Sequence, residues 1–481
     1  MRSTVERELK LDAPRGFRLP ALPGRPLAPQ VLTATYHDTG DHRLARAGVT
    51  LRFRVEGGRG RWQLKLPQGD DRLELETPGR PEKVPAELDD LVTALRRGRP
   101  LGPVARVVTR RAGVRVHRED DPRRPVADVV LDRVRARVGD REVRFSQVEV
   151  EARPEGSGKT LRRLTRALTQ AGAEEGDDRP KLLRALEVSL QAPPEPLASG
   201  APAAAHLGAA LTALTAEVVA NDPGTRRGQD PEHLHRLRVA IRRWRALLRC
   251  ARPLLDRDWA EALRAELAWL GGELGPVRDL DVLLADLRDQ ARSLEPAERR
   301  ALGPLLRSLA AERVKARGVL LAALRSSRYL QLLDRMDEAA RAPRVTEDSW
   351  SLEDLVAKEV RRFRRVVKGL QDPPGDEEIH EVRIKAKRVR YAAELAEAAM
   401  GKPAARLARK AKALQDILGQ HQDAAVSEAR LRAQLGGSRP PLLAMAVGRL
   451  IERDRARRAQ AREDGPPTWK RLLRQARRTF D

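Results

Sequence analysis

The chain has 481 residues, too many for one compact core, which predicts two or three domains in series. It carries 94 Lys+Arg against 69 Asp+Glu, a net charge of +25, and such an excess favours a polyanionic partner without dictating a fold. Its single cysteine, Cys250, excludes an internal disulfide and a cysteine-rich zinc site.

The chain opens on MRSTVERELK, which is charged and lacks the apolar run of a secretory signal. No uncharged apolar stretch of about 18 residues follows, so the expectation is a soluble, cytoplasmic protein with no membrane partner. As far as about residue 188, short alternating segments are broken by Gly, Pro and Asp. They include Val5–Leu11, Thr50–Val55, Trp62–Leu66, Arg72–Glu76, Val126–Asp132 and Ser146–Ala152. Period-two alternation predicts strands, and this many predicts an antiparallel barrel or sandwich, with helices near Glu87–Arg97 and Thr160–Gln170.

Several of these strands put charge on one face. Glu6, Glu8 and Lys10 share a side, as do Arg52 with Arg54, Gln63 with Lys65, and Glu149 with Glu151. If the polar faces turn inward in a closed barrel, cations would sit beside four carboxylates, a donor set suited to Mg²⁺ or Mn²⁺ and phosphate. If they turn outward, the same residues are a solvated surface. Spacing alone leaves both readings open.

The segment QAPPEPLASGAPAAA (residues 191–205) reads as a linker, and beyond it the apolar spacing becomes helical. Breaks are expected near Asp222–Pro231, Ala342–Glu347, Asp372–Asp376 and Ser438–Pro441. The helical half contains a duplication. His235-Arg236-Leu237-Arg238 and His380-Glu381-Val382-Arg383 lie 145 residues apart, and Leu274-Gly275 with Asp279 returns 144 residues later as Leu418-Gly419 with Asp423. At about 100° per residue, His235, Arg238, Arg242, Arg245 and Arg249 fall within roughly 80° of arc on one helix. His380, Arg383, Lys387 and Arg390 fall on the equivalent arc. Apolar stripes, Leu237, Ile241, Trp244, Leu248 and Val382, Ala386, Val389, Ala393, run alongside. A repeated row of like charges predicts an anion site. With only 14 aromatic residues and Trp244 on an apolar stripe, little remains to stack on bases, so nucleic acid is not favoured as the partner.

The paired H-x-x-R-x-x-x-[RK]-x-x-R helices and LGPVRDLDVL (Leu274–Leu283) resemble the CHAD domain, over about residues 205–481. The E-x-E-x-K start, Tyr36-His37-Asp38-Thr39, Leu51-Arg52-Phe53-Arg54, Gln63-Leu64-Lys65 and Val148-Glu149-Val150-Glu151 resemble the CYTH, or triphosphate tunnel metalloenzyme, domain over about residues 1–190. Together they imply a multidomain α+β chain. An antiparallel eight-stranded β-tunnel (1–190) and a linker (191–204) precede an all-α domain of two pseudo-repeated four-helix bundles (205–481, repeats about 205–340 and 350–481).

The tunnel resemblance implies Glu6, Glu8, Glu149 and Glu151 as ligands for Mg²⁺ or Mn²⁺. It implies Lys10, Arg52, Arg54, Lys65, Arg111 and Lys181 as catalytic cations, with Arg110 an alternative to Arg111 and Asp128 a weaker acidic candidate. The helical resemblance implies polyphosphate binding by His235, Arg238, Arg242, Arg245, His380, Arg383, Lys387 and Arg390, with Arg409 and Lys412 as further candidates. Asp279 and Asp423 are expected to orient basic side chains. The implied function is metal-dependent hydrolysis of inorganic triphosphate, with long-chain polyphosphate held by the helical domain and association with polyphosphate granules. The alternative is a non-catalytic granule-associated binding protein. Adenylate cyclase chemistry occurs in the tunnel family, but no adenine pocket is legible here, and no motif specifies an oligomeric state.

Overall fold

The computed structural model describes every residue except 70, 119–120, 122, 154–155, 157, 178, 191–196, 199, 347–349, 434, 436–439 and 481, and the side chains of Val5 and Glu6. The chain forms two compact units, Met1–Ala192 and Pro193–Asp481. Most of the expected linker lies outside the described residues, and the first helix of the second unit begins at Ala203.

The first unit is one antiparallel sheet. Its strands are β1 (Arg2–Glu6), β2 (Glu8–Asp12), β3 (Gly24–Asp38), β4 (Thr50–Glu56), β5 (Arg59–Gln68), β6 (Asp71–Thr77), β7 (Gly102–His117), β8 (Pro125–Val138) and β9 (Arg141–Ala152). They run in the order β1-β6-β5-β4-β3-β7-β8-β9-β2. β1 and β2 are one run of chain interrupted only at Arg7, so the two edges of the sheet join and the eight-stranded tunnel closes.

The inner face is polar. Leu51, Phe53, Trp62 and Leu64 alternate with the cavity-lining Arg52, Arg54, Gln63 and Lys65, and they are buried on the outer side. Elsewhere the outer face is covered by a helix, Gly158–Gln170, whose Leu161, Leu164 and Leu168 pack on Leu11, Val129, Val148 and Val150. The two longest strands, β3 and β7, were not among the segments that alternation marked. Pro26 and Pro29 in β3 and Pro103 in β7 read as breaks, but the β3–β7 register slips between Leu27 and Gln30, at Pro29, and between Tyr36 and His37, opposite Pro103, so these two prolines fall at irregularities.

The second unit is all helical. Ala203–Arg227, Pro231–Cys250 and Arg257–Ala291 pack with a fourth arm split at Ser326 into Gly303–Arg325 and Ser327–Arg341. Leu352–Lys368, Asp376–Leu395, Lys402–Ala433 and Pro441–Phe480 repeat the arrangement, the last as one unbroken helix.

The break expected from Asp222 moves to Gly228, because the first helix continues through Pro223. Asp222 is buried there between Arg226 (2.6 Å) and the Tyr329 hydroxyl (2.9 Å), so packing overrides the proline signal. This is the one described helix whose length and mean hydropathy (1.4) would suit a membrane span. In the fold its Leu207, Leu211, Leu214 and Val218 are buried against the helical unit.

Candidate functional site

Within the tunnel lies a cavity of about 260 Å³. Glu8, Lys10, Arg52, Arg54, Lys65, Arg111, Glu149, Glu151 and Lys181 all line it. Glu6 ends β1 opposite Arg72, and its side chain is outside the described residues. In the closed strand order β4 lies across the barrel from β9, with β5 beside β4 and β2 beside β9. One wall therefore carries Arg52, Arg54 and Lys65, and the other carries Glu8, Glu149 and Glu151.

The carboxylate wall is set by register. Glu8 sits opposite Glu151 and Lys10 opposite Glu149, so all four side chains share one face. Lys10 Nζ lies 2.7 Å from Glu8. The short helix Lys181–Leu186 packs on Ala34, Tyr36, Val107 and Val134 and closes part of the barrel. It delivers Lys181 Nζ to Glu149 (2.6 Å) and Asp132 (2.7 Å). Arg111 forks onto both oxygens of Asp132 (2.8 and 2.7 Å) and reaches Glu151 (2.8 Å) and Glu149. Burial opposes ionisation of Glu149, but Lys181, Arg111 and Lys10 outweigh it and hold its carboxyl well below the usual range. Burial likewise works against the Lys181 ammonium, and Glu149 and Asp132 reverse the sign and raise its pKa.

On the cationic wall, Arg52 donates from Nε to Gln63 (2.7 Å) and from Nη1 to the Tyr36 hydroxyl (3.0 Å), which fixes its fork. Arg54 donates to Glu56 (2.8 Å), while its buried Nε has no partner. Burial and the neighbouring Arg52 lower its pKa. A guanidinium held this way suits an incoming anion.

Asp132, not Asp128, is the acid that organises the cavity. The two share a face of β8, but Asp128 pairs with Arg115 (2.9 Å) and lines a smaller cavity. Arg111 is the inward residue and Arg110 is exposed. Glu74 and Glu76 on β6 also line the cavity, and Gln147 donates to Glu149 (2.7 Å). Their period-two placement was legible, as Leu73 and Leu75 alternate with Glu74 and Glu76. Asp38 accepts from the backbone N–H groups of Leu44 and Ala45 (both 2.9 Å) and ties down the turn after β3.

Among the described residues no three acidic or histidine side chains form a closed metal cage. The donors are nonetheless hard oxygens gathered on one wall and already balanced by cations. That pattern fits an open site in which a divalent ion is shared between one or two carboxylates and substrate phosphates.

In the helical unit the first basic helix, Pro231–Cys250, starts at Asp230, whose carboxylate accepts from Glu232 N–H (2.9 Å). Leu237, Ile241, Trp244 and Leu248 are buried, and the second basic helix, Asp376–Leu395, buries Val382, Ala386, Val389 and Ala393. The two helices pack against each other, so their cationic rows meet. Burial, then Arg383 and Arg242, push Lys387 down to about 7, with Asp423 opposing. Burial also lowers the pKa of Arg383 and raises that of Asp423. Arg238 pairs with Asp279 (3.0 Å), and Arg242, Arg245 and Arg383 each keep a buried Nε with no partner. Uncompensated donors of this kind are expensive in a folded protein unless an anion completes them.

The remaining candidates differ. His235 is half-buried, and burial with Arg278 lowers its pKa, so the ring is neutral near pH 7. His380 Nδ1 faces Gln422 Oε1 at 2.8 Å. Arg390 is engaged by Glu394 (2.6 Å) and Gln415 (3.3 Å), and Glu394 also accepts from Arg243 of the first helix (2.9 Å). Arg409 and Lys412 are exposed on Lys402–Ala433. Arg278, inside the LGPVRDLD segment, is an electrostatic neighbour of the row that helical spacing alone did not reveal.

The sequence matches the CYTH domain over residues 4–182 and the CHAD domain over residues 209–432. Two uncharacterised proteins from strains of Mycobacterium tuberculosis are each 33% identical over 444 residues, spanning 84% of this chain and 82% of their own length. The chain belongs to the family that joins a CYTH domain to a CHAD domain. PptA from Streptomyces chartreusis is similar in structure over 56% of this chain and 100% of its own, at 24% identity and a TM-score of 0.49. The CHAD domain from the plant Ricinus communis is similar over 58% and 96%, at 26% identity and a TM-score of 0.47. CYTH proteins include triphosphatases and cyclases, and the polar tunnel and the basic helices of this chain lie within its CYTH and CHAD domains, respectively.

Proposed function

We propose that the CYTH tunnel hydrolyses inorganic triphosphate with Mg²⁺ or Mn²⁺, and that the CHAD groove holds inorganic polyphosphate. The observation that carries the first half is one cavity that gathers Arg52, Arg54 and Lys65 on β4 and β5 with Glu8, Glu149 and Glu151 on β2 and β9. Arg52, Arg54 and Lys65 would grip non-bridging phosphate oxygens and hold the chain for in-line attack. Glu8, Glu149 and Glu151, with Glu6 by its sequence position, would hold the divalent ion. That ion, when bound, neutralises phosphate charge and makes water a better nucleophile. Lys181 and Arg111 keep Glu149 ionised and fixed, through Asp132 as a common anchor.

Phosphate release from tripolyphosphate, long polyphosphate, thiamine triphosphate and ATP, each with Mg²⁺ or Mn²⁺, tests this reading. Tripolyphosphate should be the fastest substrate. Cyclic AMP from ATP would place the tunnel with the cyclases, and silence on all four would favour a binding protein that collects on polyphosphate granules.

For the CHAD helices, long polyphosphate should displace duplex DNA at fixed ionic strength, because Trp244 beside the cationic row is buried and cannot stack on bases. His235→Gln and His380→Gln should each change polyphosphate affinity less than about threefold, since glutamine can replace the hydrogen bond either ring offers and His380 Nδ1 already faces Gln422 Oε1. Isothermal titration of both variants checks this.

A further inference from the structure

The two basic rows are not equivalent at their far ends. Arg390, which corresponds to Arg245 at the repeat offset, is held by Glu394, Gln415 and the Tyr391 ring. Arg245 has no such acid. Its electrostatic neighbour is Arg264, from the next helix, Arg257–Ala291. Two guanidiniums thus face each other, and the Nε of each is buried with no partner.

Arg245 Nη1 lies over Gly271, 3.8 Å from where a Cβ would stand, so bare backbone floors this stretch. Arg249 adjoins the same pair and is itself flanked by Arg388, Glu359 and Glu261. Glu261 already binds Arg264 and lies 3.9 Å from Arg252, and Glu359 binds Arg362 (2.7 Å). Nearby acid is therefore shared out while the guanidinium donors remain in excess. In the second repeat the position matching Arg264 is Ala408, which is buried and carries no charge.

We propose that Arg245, Arg249 and Arg264 form an additional phosphate subsite at the far end of the first repeat's basic row, which has no counterpart in the second repeat. From His235 to Arg249 the row spans about 21 Å of helix, enough for a chain to reach this end while seated between the two basic helices. The proposal rests on the polyphosphate reading of the groove and adds a residue from outside both rows.

The test uses the full chain and long-chain polyphosphate at one ionic strength. Arg264→Gln should weaken binding about tenfold, Arg264→Lys by less, and Arg292→Gln, which removes the same charge from an exposed site outside the basic rows, by under about twofold. Glu261→Gln, which releases Arg264, should leave affinity unchanged or raise it; a merely structural Arg264–Glu261 pair would instead make both partners' variants lose affinity alike. Equal small losses for Arg264→Gln and Arg292→Gln would overturn the subsite. If Arg242→Gln also binds normally, the polyphosphate reading itself falls, and if Arg242→Gln weakens binding while Arg264→Gln does not, only the subsite falls.

Discussion

Glu149→Gln should lower tripolyphosphate hydrolysis by about 10²- to 10³-fold, the range seen when one preorganised charge is removed from an active site. The residue lies at the centre of the carboxylate wall: Lys181, Arg111 and Gln147 all donate to it. A glutamine keeps the shape but supplies neither the charge a divalent ion needs nor an acceptor for two cations at once. The variant should still fold, because Lys181 and Arg111 both retain Asp132.

Its stability should also lose a particular pH dependence. The folded pKa of Glu149 is depressed below its ordinary 4.5, so the unfolded chain binds more protons in that window. The stabilisation is therefore complete above about 4.5 and is lost as pH falls through the folded value. The melting temperatures of wild type and Glu149→Gln should differ most above about pH 4.5 and converge only as pH falls through the depressed folded value. A constant gap across that range would show that the carboxylate charge contributes nothing, and unchanged turnover would remove Glu149 from the site.

How much of this was legible depended on whether neighbouring residues in sequence or distant ones in space carried the signal. Alternation placed Glu8, Arg52, Arg54, Lys65, Glu149 and Glu151 on single faces of strands, and all of them line the cavity. Alternation could not say which way those faces turn, because an inward and an outward polar face have the same period. That choice is fixed by β1 and β2 joining opposite edges of the sheet, a long-range pairing with no local signature. Asp132 was missed for the same reason: its role comes from cross-strand register with Arg111 and from a helix some fifty residues later that brings in Lys181. In the helical unit, period and repeat together exposed both basic rows. They did not reveal that Arg390 is engaged by Glu394, nor that Arg264 and Arg278 approach from a neighbouring helix.

Arg383→Gln should weaken polyphosphate binding about 10- to 100-fold, the equivalent of roughly 1.5–3 kcal/mol for one charge-assisted contact in a half-buried groove. It should also change how binding responds to pH, through Lys387. In the free protein burial, Arg383 and Arg242 hold that amine at about 7, so it is half neutral at physiological pH. A bound polyanion favours the charged form, so binding takes up a proton, and affinity should fall about tenfold from pH 6 to pH 8. Removing Arg383 takes away one of the charges that depress Lys387, so its pKa rises and the binding transition moves to higher pH.

The unliganded stability should move in the opposite sense to the affinity. A lysine with a folded pKa of about 7 and an ordinary value of 10.5 penalises folding fully below 7, and the penalty fades as pH rises between the two. Arg383→Gln relieves part of it, so the variant should melt higher than wild type at neutral pH while binding polyphosphate more weakly. Titrations at several pH values in buffers of different ionisation enthalpy, with melting curves of the same samples, measure both effects. Loss of affinity together with loss of stability would mean that Arg383 holds the helices together and does not wait for a ligand.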